Sequence, residues 1–71
     1  MSIEVGLLGI GNIGTGVAEW LRDYGKSHGL HLKTVADADP SKRQNAHLPD
    51  TLLTDDAYKI IKDPQIQIVV E

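Results

Sequence analysis

Apolar positions fall along this chain in three short blocks, separated by two stretches with helical rhythm. Ile3 to Leu8 is a continuous apolar run broken only by Glu4 and Gly6. Such a run predicts a strand covered on both faces, as in a parallel sheet. Ile13, Val17, Leu21 and Tyr24 then recur at helical spacing, with Ala18 and Trp20 beside them. Glu19, Arg22, Asp23 and Lys26 occupy the opposite side, and Gly25 follows. The pattern predicts a helix from about Gly14 to Tyr24 that stops at Gly25. Leu30 to Ala36 alternates apolar and polar residues before closing on Val35-Ala36, which predicts a second strand. Asp37 to Arg43 is polar and turn-rich, and Gln44 to Leu53 is irregular, so both read as loop. Thr54-Asp55-Asp56 offers a capping hydroxyl followed by acids, a helix start whose apolar side is Ala57, Ile60 and Ile61. Asp63-Pro64 ends that helix, and Ile66 to Val70 is the third strand.

Strands separated by helices imply parallel pairing through right-handed crossovers. The chain has 71 residues, enough for one domain, and three aromatic residues, Trp20, Tyr24 and Tyr58, with no Phe. Its core must therefore come from Ile, Leu, Val and Ala. Cysteine is absent, which excludes disulfides and thiolate metal sites and makes a reducing, cytoplasmic setting the expectation. No apolar run approaches the roughly 18 residues of a membrane span, and the N-terminus carries Glu4 and lacks the basic region that a signal peptide has before its apolar stretch. A net charge of −3 disfavours nucleic acid as a partner. Any phosphate must then be held by local backbone dipoles.

Such a local device is present where the first strand meets the first helix. Gly9-x-Gly11-x-x-Gly14 lies between them, in the order that a dinucleotide-binding turn requires. Gly9 permits a tight turn, Gly11 lets a pyrophosphate approach the backbone, and Gly14 lets the helix pack on the sheet. The amides near Asn12, Ile13 and Gly14 would point at phosphate oxygens. Without a ligand, the same glycines would merely shape a strand-to-helix turn. With its context, the motif predicts an α/β fold, a truncated Rossmann-type β-α-β-α-β with a three-stranded parallel sheet. That corresponds to the first half of a doubly wound domain spanning residues 1–71, with no substrate or catalytic domain.

Asp37 stands 23 positions after Gly14, near the place of an acid that accepts from the adenosine ribose hydroxyls. Its charge would repel the 2′-phosphate of NADP and tilts the cofactor toward NAD. Asp37 also reads as an ordinary turn residue, and Lys42 and Arg43 pull toward NADP if the loop folds back. His28, His31 and His47 have no ligand spacing, Trp20 and Tyr24 read as packing, and Asp55, Asp56 and Asp63 read as caps and turns. No nucleophile–base pair is visible.

The run Val5-Gly-Leu-Leu-Gly-Ile-Gly-Asn-Ile-Gly-Thr-Gly-Val17 resembles the opening of homoserine dehydrogenases. So do Leu53-Thr-Asp-Asp56 and Asp63-Pro-x-Ile-x-Ile-Val-Val-Glu71, and the resemblance spans nearly the whole chain. It implies an oxidoreductase that interconverts aspartate semialdehyde and homoserine with NAD or NADP, in threonine and methionine biosynthesis. It also implies that Gly9, Gly11, Asn12, Ile13 and Gly14 hold the pyrophosphate. Many relatives carry an arginine just after the second strand. Here Asp37 and Ala38 stand there, a departure that leans toward NAD. Substrate and proton-transfer groups come from a later domain, so these residues alone are expected to be non-catalytic. Two alternatives stay open: another NAD(P)-dependent oxidoreductase, of the aspartate dehydrogenase or sugar type, and a stand-alone nucleotide-binding module. With nothing to cover its far side, the strand Ile3 to Leu8 is expected to be an exposed edge through which copies associate.

Overall fold

The computed structural model describes residues 2–71. The first strand, β1 (Ile3–Leu8), leads through the glycine loop into α1 (Asn12–Tyr24), and a 3-10 turn over Gly25–His28 leads to β2 (Leu30–Ala36). Next come α2 (Pro40–Gln44), a 3-10 turn over Asp50–Leu52, β3 (Leu53–Thr54), α3 (Tyr58–Ile61) and β4 (Ile68–Val70). The four strands form one parallel sheet in the order β3-β2-β1-β4. This is the order of the first four strands of a doubly wound dinucleotide-binding sheet. No helix among the described residues is long and apolar enough to cross a membrane.

The sheet has one strand more than the three expected. The extra strand, β3, is two residues long, too short to show any period, and it falls where the sequence pattern passes from irregular chain to helix start. Its place in the sheet comes from pairing alone: Val35 with Leu53 and Ala36 with Thr54. The segment read as the third strand is β4, and it crosses to the far side of β1, with Val5, Gly6 and Leu7 opposite Ile68, Val69 and Val70. The expected exposed edge at Ile3 to Leu8 is therefore overturned. β1 is bonded on both sides, and the outer strands are β3 and β4.

Local chemistry explains the smaller differences. Asp37 to Arg43 is not all loop, because Asp39 accepts from the Ser41 amide at 2.9 Å and Pro40 takes the first position of α2. Both are strong helix starters. In β2 the apolar alternation Leu30, Leu32 breaks phase before Val35. A register shift absorbs the odd residue: Val5 pairs with Leu32 but Gly6 with Thr34, so Lys33 is extra. The bulge keeps Leu32 and Val35 on one face. It also leaves the Lys33 ammonium bonded to Asp63 Oδ2 at 2.6 Å and Gln65 Oε1 at 2.7 Å, which ties β2 to the turn before β4.

The main core comprises Val5, Leu7, Ile10, Ala18, Leu21, Leu32, Val35 and Ala46, aliphatic throughout as the composition required. Val5 and Leu7 face α1. Gly6, pointing the other way, faces α3, where an added Cβ would come within 2.5 Å of Ile60 Cγ2. Helices thus cover both sides of β1. The apolar stripe of α1 is only partly used: Ala18 and Leu21 are buried, whereas Ile13 is 85% and Tyr24 58% exposed.

Candidate functional site

The carboxyl ends of β1, β2 and β4 meet where the strand order reverses, at the crevice where open α/β sheets take their ligands. The chain leaves β1 at Gly9, whose φ of +94° is open to glycine and strained for other residues. The Gly9 amide donates to Ala36 O at 2.7 Å, which fixes the loop to the end of β2. Gly11 is the N-cap of α1 and supplies no side-chain cap, and the first turn carries no acid. The first helical bond runs from Thr15 N to Gly11 O at 2.8 Å. The amides of Asn12, Ile13 and Gly14 have no acceptor within the helix, as at any helix start. Among the described residues no side chain caps this positive end.

A cleft of about 410 Å³ opens over that helix end, lined by Gly9, Gly11, Asn12, Ile13 and Gly14, with Val70 and Glu71 of the β4 end on its far wall. A Cβ added at Gly11 meets nothing within 4 Å, so the glycine faces open cleft. At Gly14 the opposite holds, since a Cβ would press on Gly9 O. A second cleft of about 230 Å³ opens on the other side of Gly9, lined by Leu8, Ala36, Asp37, Ala38, Asp55 and Ala57. All seven residues singled out from the sequence thus lie on two adjoining clefts that share Gly9. Sequence reasoning missed Val70 and Glu71 on the first cleft, and Asp55 and Ala57 on the second. Those positions depend on β4 crossing over and on the pairing of β3, which leave no local pattern.

Asp37 does more than end a strand. Its Oδ2 accepts from the Ile10 amide at 2.8 Å, inside the glycine loop, and its Oδ1 accepts from the Asp39 amide at 2.9 Å. Its own amide donates to Thr54 O at 3.0 Å, and its carbonyl accepts from the Arg43 guanidinium at 2.6 Å. The Asp39 amide is the main cause that holds this carboxyl below its ordinary value. The Ile10 amide, Lys42 and Arg43 act in the same direction, against a contribution from desolvation. The anion is thereby fixed in place and in charge.

A pH dependence follows. A carboxyl whose folded pKa is depressed contributes stability above its unfolded value of about 3.9, and loses it as pH falls through the folded value. Asp37→Asn, which puts an amide donor against a backbone donor, should lower the unfolding midpoint by about 4 °C at neutral pH. The gap should be constant from about pH 5 to 8 and close below about pH 4. A midpoint series from pH 7 to 3 on both proteins tests this, and a gap that persists at the acid end rules out the charge as the loop's anchor.

The remaining candidates are structural. Trp20 stacks on His28 at 5.1 Å between ring centroids and lies 6.2 Å from Tyr24. His31 pairs with Glu4 at 2.5 Å on the outer surface. Asp63 holds Lys33 and caps its own turn through the Gln65 amide.

Comparison with known proteins bears on this site. A family model described as the homoserine dehydrogenase NAD-binding domain matches residues 9–71. The homoserine dehydrogenase of Synechocystis sp. is 39% identical over 75 residues, covering 100% of this chain and 17% of that protein. Those of Bacillus subtilis and Corynebacterium glutamicum are 34% and 33% identical over 77 and 76 residues, each covering 99% of this chain and 18% and 17% of the relative. The chain thus spans less than a fifth of the length of these curated relatives. No solved structure matches it.

Proposed function

This chain belongs to the homoserine dehydrogenase NAD-binding domain family, and on that premise we propose that it is the cofactor-holding element of an enzyme interconverting aspartate semialdehyde and homoserine. One observation carries the proposal. An uncapped helix N-terminus, reached through Gly9 and Gly11, opens on a cleft at the sheet's switch point. A pyrophosphate fits this place by charge and by space, since its oxygens would meet the amides of Asn12, Ile13 and Gly14 with no side chain at Gly11 in the way. The adenosine would lie in the second cleft beside Ala38, its ribose hydroxyls donating to the remaining lone pairs of Asp37. The nicotinamide would lie toward Val70 and Glu71. When bound, the nicotinamide supplies or accepts the hydride, and the protein's part here is to bind and orient it.

Asp37 supports NAD over NADP. A carboxylate held by two backbone amides cannot swing aside, so a 2′-phosphate would face a fixed negative charge. Arg43, one of the two cations that could partner such a phosphate, is already bonded to the Asp37 carbonyl. Groups that bind the substrate and move its protons belong, in this reading, to sequence outside these residues. Association of copies, first expected at β1, moves to β4, whose outer residues Ile68 and Val69 are 43% and 46% exposed.

Calorimetric titration of the chain with NAD should give a dissociation constant of about 0.1–1 mM. Addition of homoserine should produce no NADH. Absence of binding at several millimolar NAD would sink the cofactor reading, and turnover by these residues alone would sink their assignment as a binding element only.

A further inference from the structure

The three acids around α3 read from the sequence as one group of capping residues, and the structure divides them. Thr54 Oγ1 accepts from the Asp56 amide at 3.2 Å, and Asp56 Oδ1 accepts from the Tyr58 amide at 2.9 Å, so Asp56 is the acid that starts α3. Asp63 is held by Lys33. Asp55 has no hydrogen-bond or ion-pair partner among the described residues, and it lines the cleft that Asp37 and Ala38 also line. Pairing puts it there. Ala36 is in register with Thr54, and the Asp37 amide bonds Thr54 O, so Asp37 and Asp55 leave the sheet side by side on neighbouring strands. Neighbouring strands are about 4.8 Å apart.

We propose that Asp55 is a selectivity residue for the adenosine end of the cofactor, a second negative charge that rejects a 2′-phosphate beside Asp37. The inference rests on the dinucleotide reading of the cleft and adds to it a division of labour. Asp37 is bound to Ile10 and Asp39 and is part of the loop's architecture, so its substitution disturbs the phosphate site as well as selectivity. The Asp55 side chain has no such role among the described residues, so its charge is left to act at the cleft. Arg43 is tied to this rim through the Asp37 carbonyl, and the Lys42 charge also acts on Asp37. Asp55 offsets these charges at the place where a 2′-phosphate would otherwise gain from them.

The test uses two probes that differ only at the ribose, adenosine 5′-monophosphate and adenosine 2′,5′-bisphosphate. Both are titrated into the wild-type chain, Asp55→Asn and Asp55→Ala. Removing one unit charge a few ångströms from a phosphate in a solvated cleft should improve the bisphosphate about fivefold and leave the monophosphate within about twofold. High salt should shrink the difference between wild type and variants. Asp37→Asn, by contrast, should weaken the monophosphate. A bisphosphate-to-monophosphate ratio that does not move in either Asp55 variant overturns the proposal, as does a parallel change for both probes, which would mean a hydrogen bond to the shared adenosine. If neither probe binds the wild type, the dinucleotide reading itself fails and this inference falls with it.

Discussion

Gly11→Val is expected to leave the domain folded and reduce NAD affinity at least about 100-fold. Gly11 has an extended backbone, φ −83° and ψ −166°, which valine adopts without strain, and beyond its chain neighbours no described residue lies within 4 Å of the added Cβ. The cost to the fold is limited to a poorer helix cap, about 1 kcal/mol, or about 4–8 °C in the unfolding midpoint of a domain this size. The cost to binding is far larger. The isopropyl group would occupy the space where the pyrophosphate meets the first-turn amides. Charge-assisted hydrogen bonds to such amides are worth about 1.5–3 kcal/mol each, and losing two of them accounts for the predicted factor. Circular dichroism should report the same helix and sheet content as wild type. Calorimetry should show no saturation at millimolar NAD. A variant that binds within threefold of wild type would move the cofactor away from this loop.

Gly14→Ala should do the reverse, damaging the fold first. An alanine Cβ at this position would approach Gly9 O closer than the 3.0 Å that real Cβ atoms respect, and the atom it meets is backbone. Gly9 cannot simply retreat. Its amide is bonded to Ala36 O and its φ is already positive. Overpacking of this kind costs about 3 kcal/mol at the upper end of the usual range. Alanine's better helix propensity returns up to about 1 kcal/mol. The net loss of about 2 kcal/mol is a large share of the roughly 4–10 kcal/mol expected for 71 residues, and should lower the midpoint by about 10 °C. Thermal unfolding of the two proteins side by side is the measurement. A midpoint equal to or above that of wild type would mean that α1 and the loop are not in close contact. The two glycines, three residues apart, therefore separate cleanly: one is kept empty for the ligand, the other for the fold.

Much of this was legible in the chain because its signals are local. Strands β1 and β2, helix α1 and the Gly9–Gly14 loop each have a period or a punctuation mark of their own. Asp37 was found by its distance from the glycines, and the structure places it on the second cleft. What escaped were features set by pairing partners. β3 is two residues long and exists because the end of β2 needs a neighbour. The strand at residues 68–70 looks the same in sequence whichever edge it joins, and it joins β1. That one choice removes the expected exposed edge, turns β1 into the central strand and brings Val70 and Glu71 over the glycine loop. The acids Asp55, Asp56 and Asp63 could not be told apart from sequence, since capping, ion pairing and facing a cleft all suit an aspartate near a turn.

The sequence by itself determined the α/β class, the parallel alternation, the dinucleotide turn and the acid at the end of β2, because each depends on residue type and spacing within a few turns of chain. The tertiary structure alone decided the strand order, the bulge at Lys33, the second use of Asp37 as a clamp on Ile10 and the exposure of Asp55 to the cleft. The physical reason is common to all four. They follow from which distant segments share hydrogen bonds and buried surface, and a one-dimensional pattern records the demand for such partners without naming them.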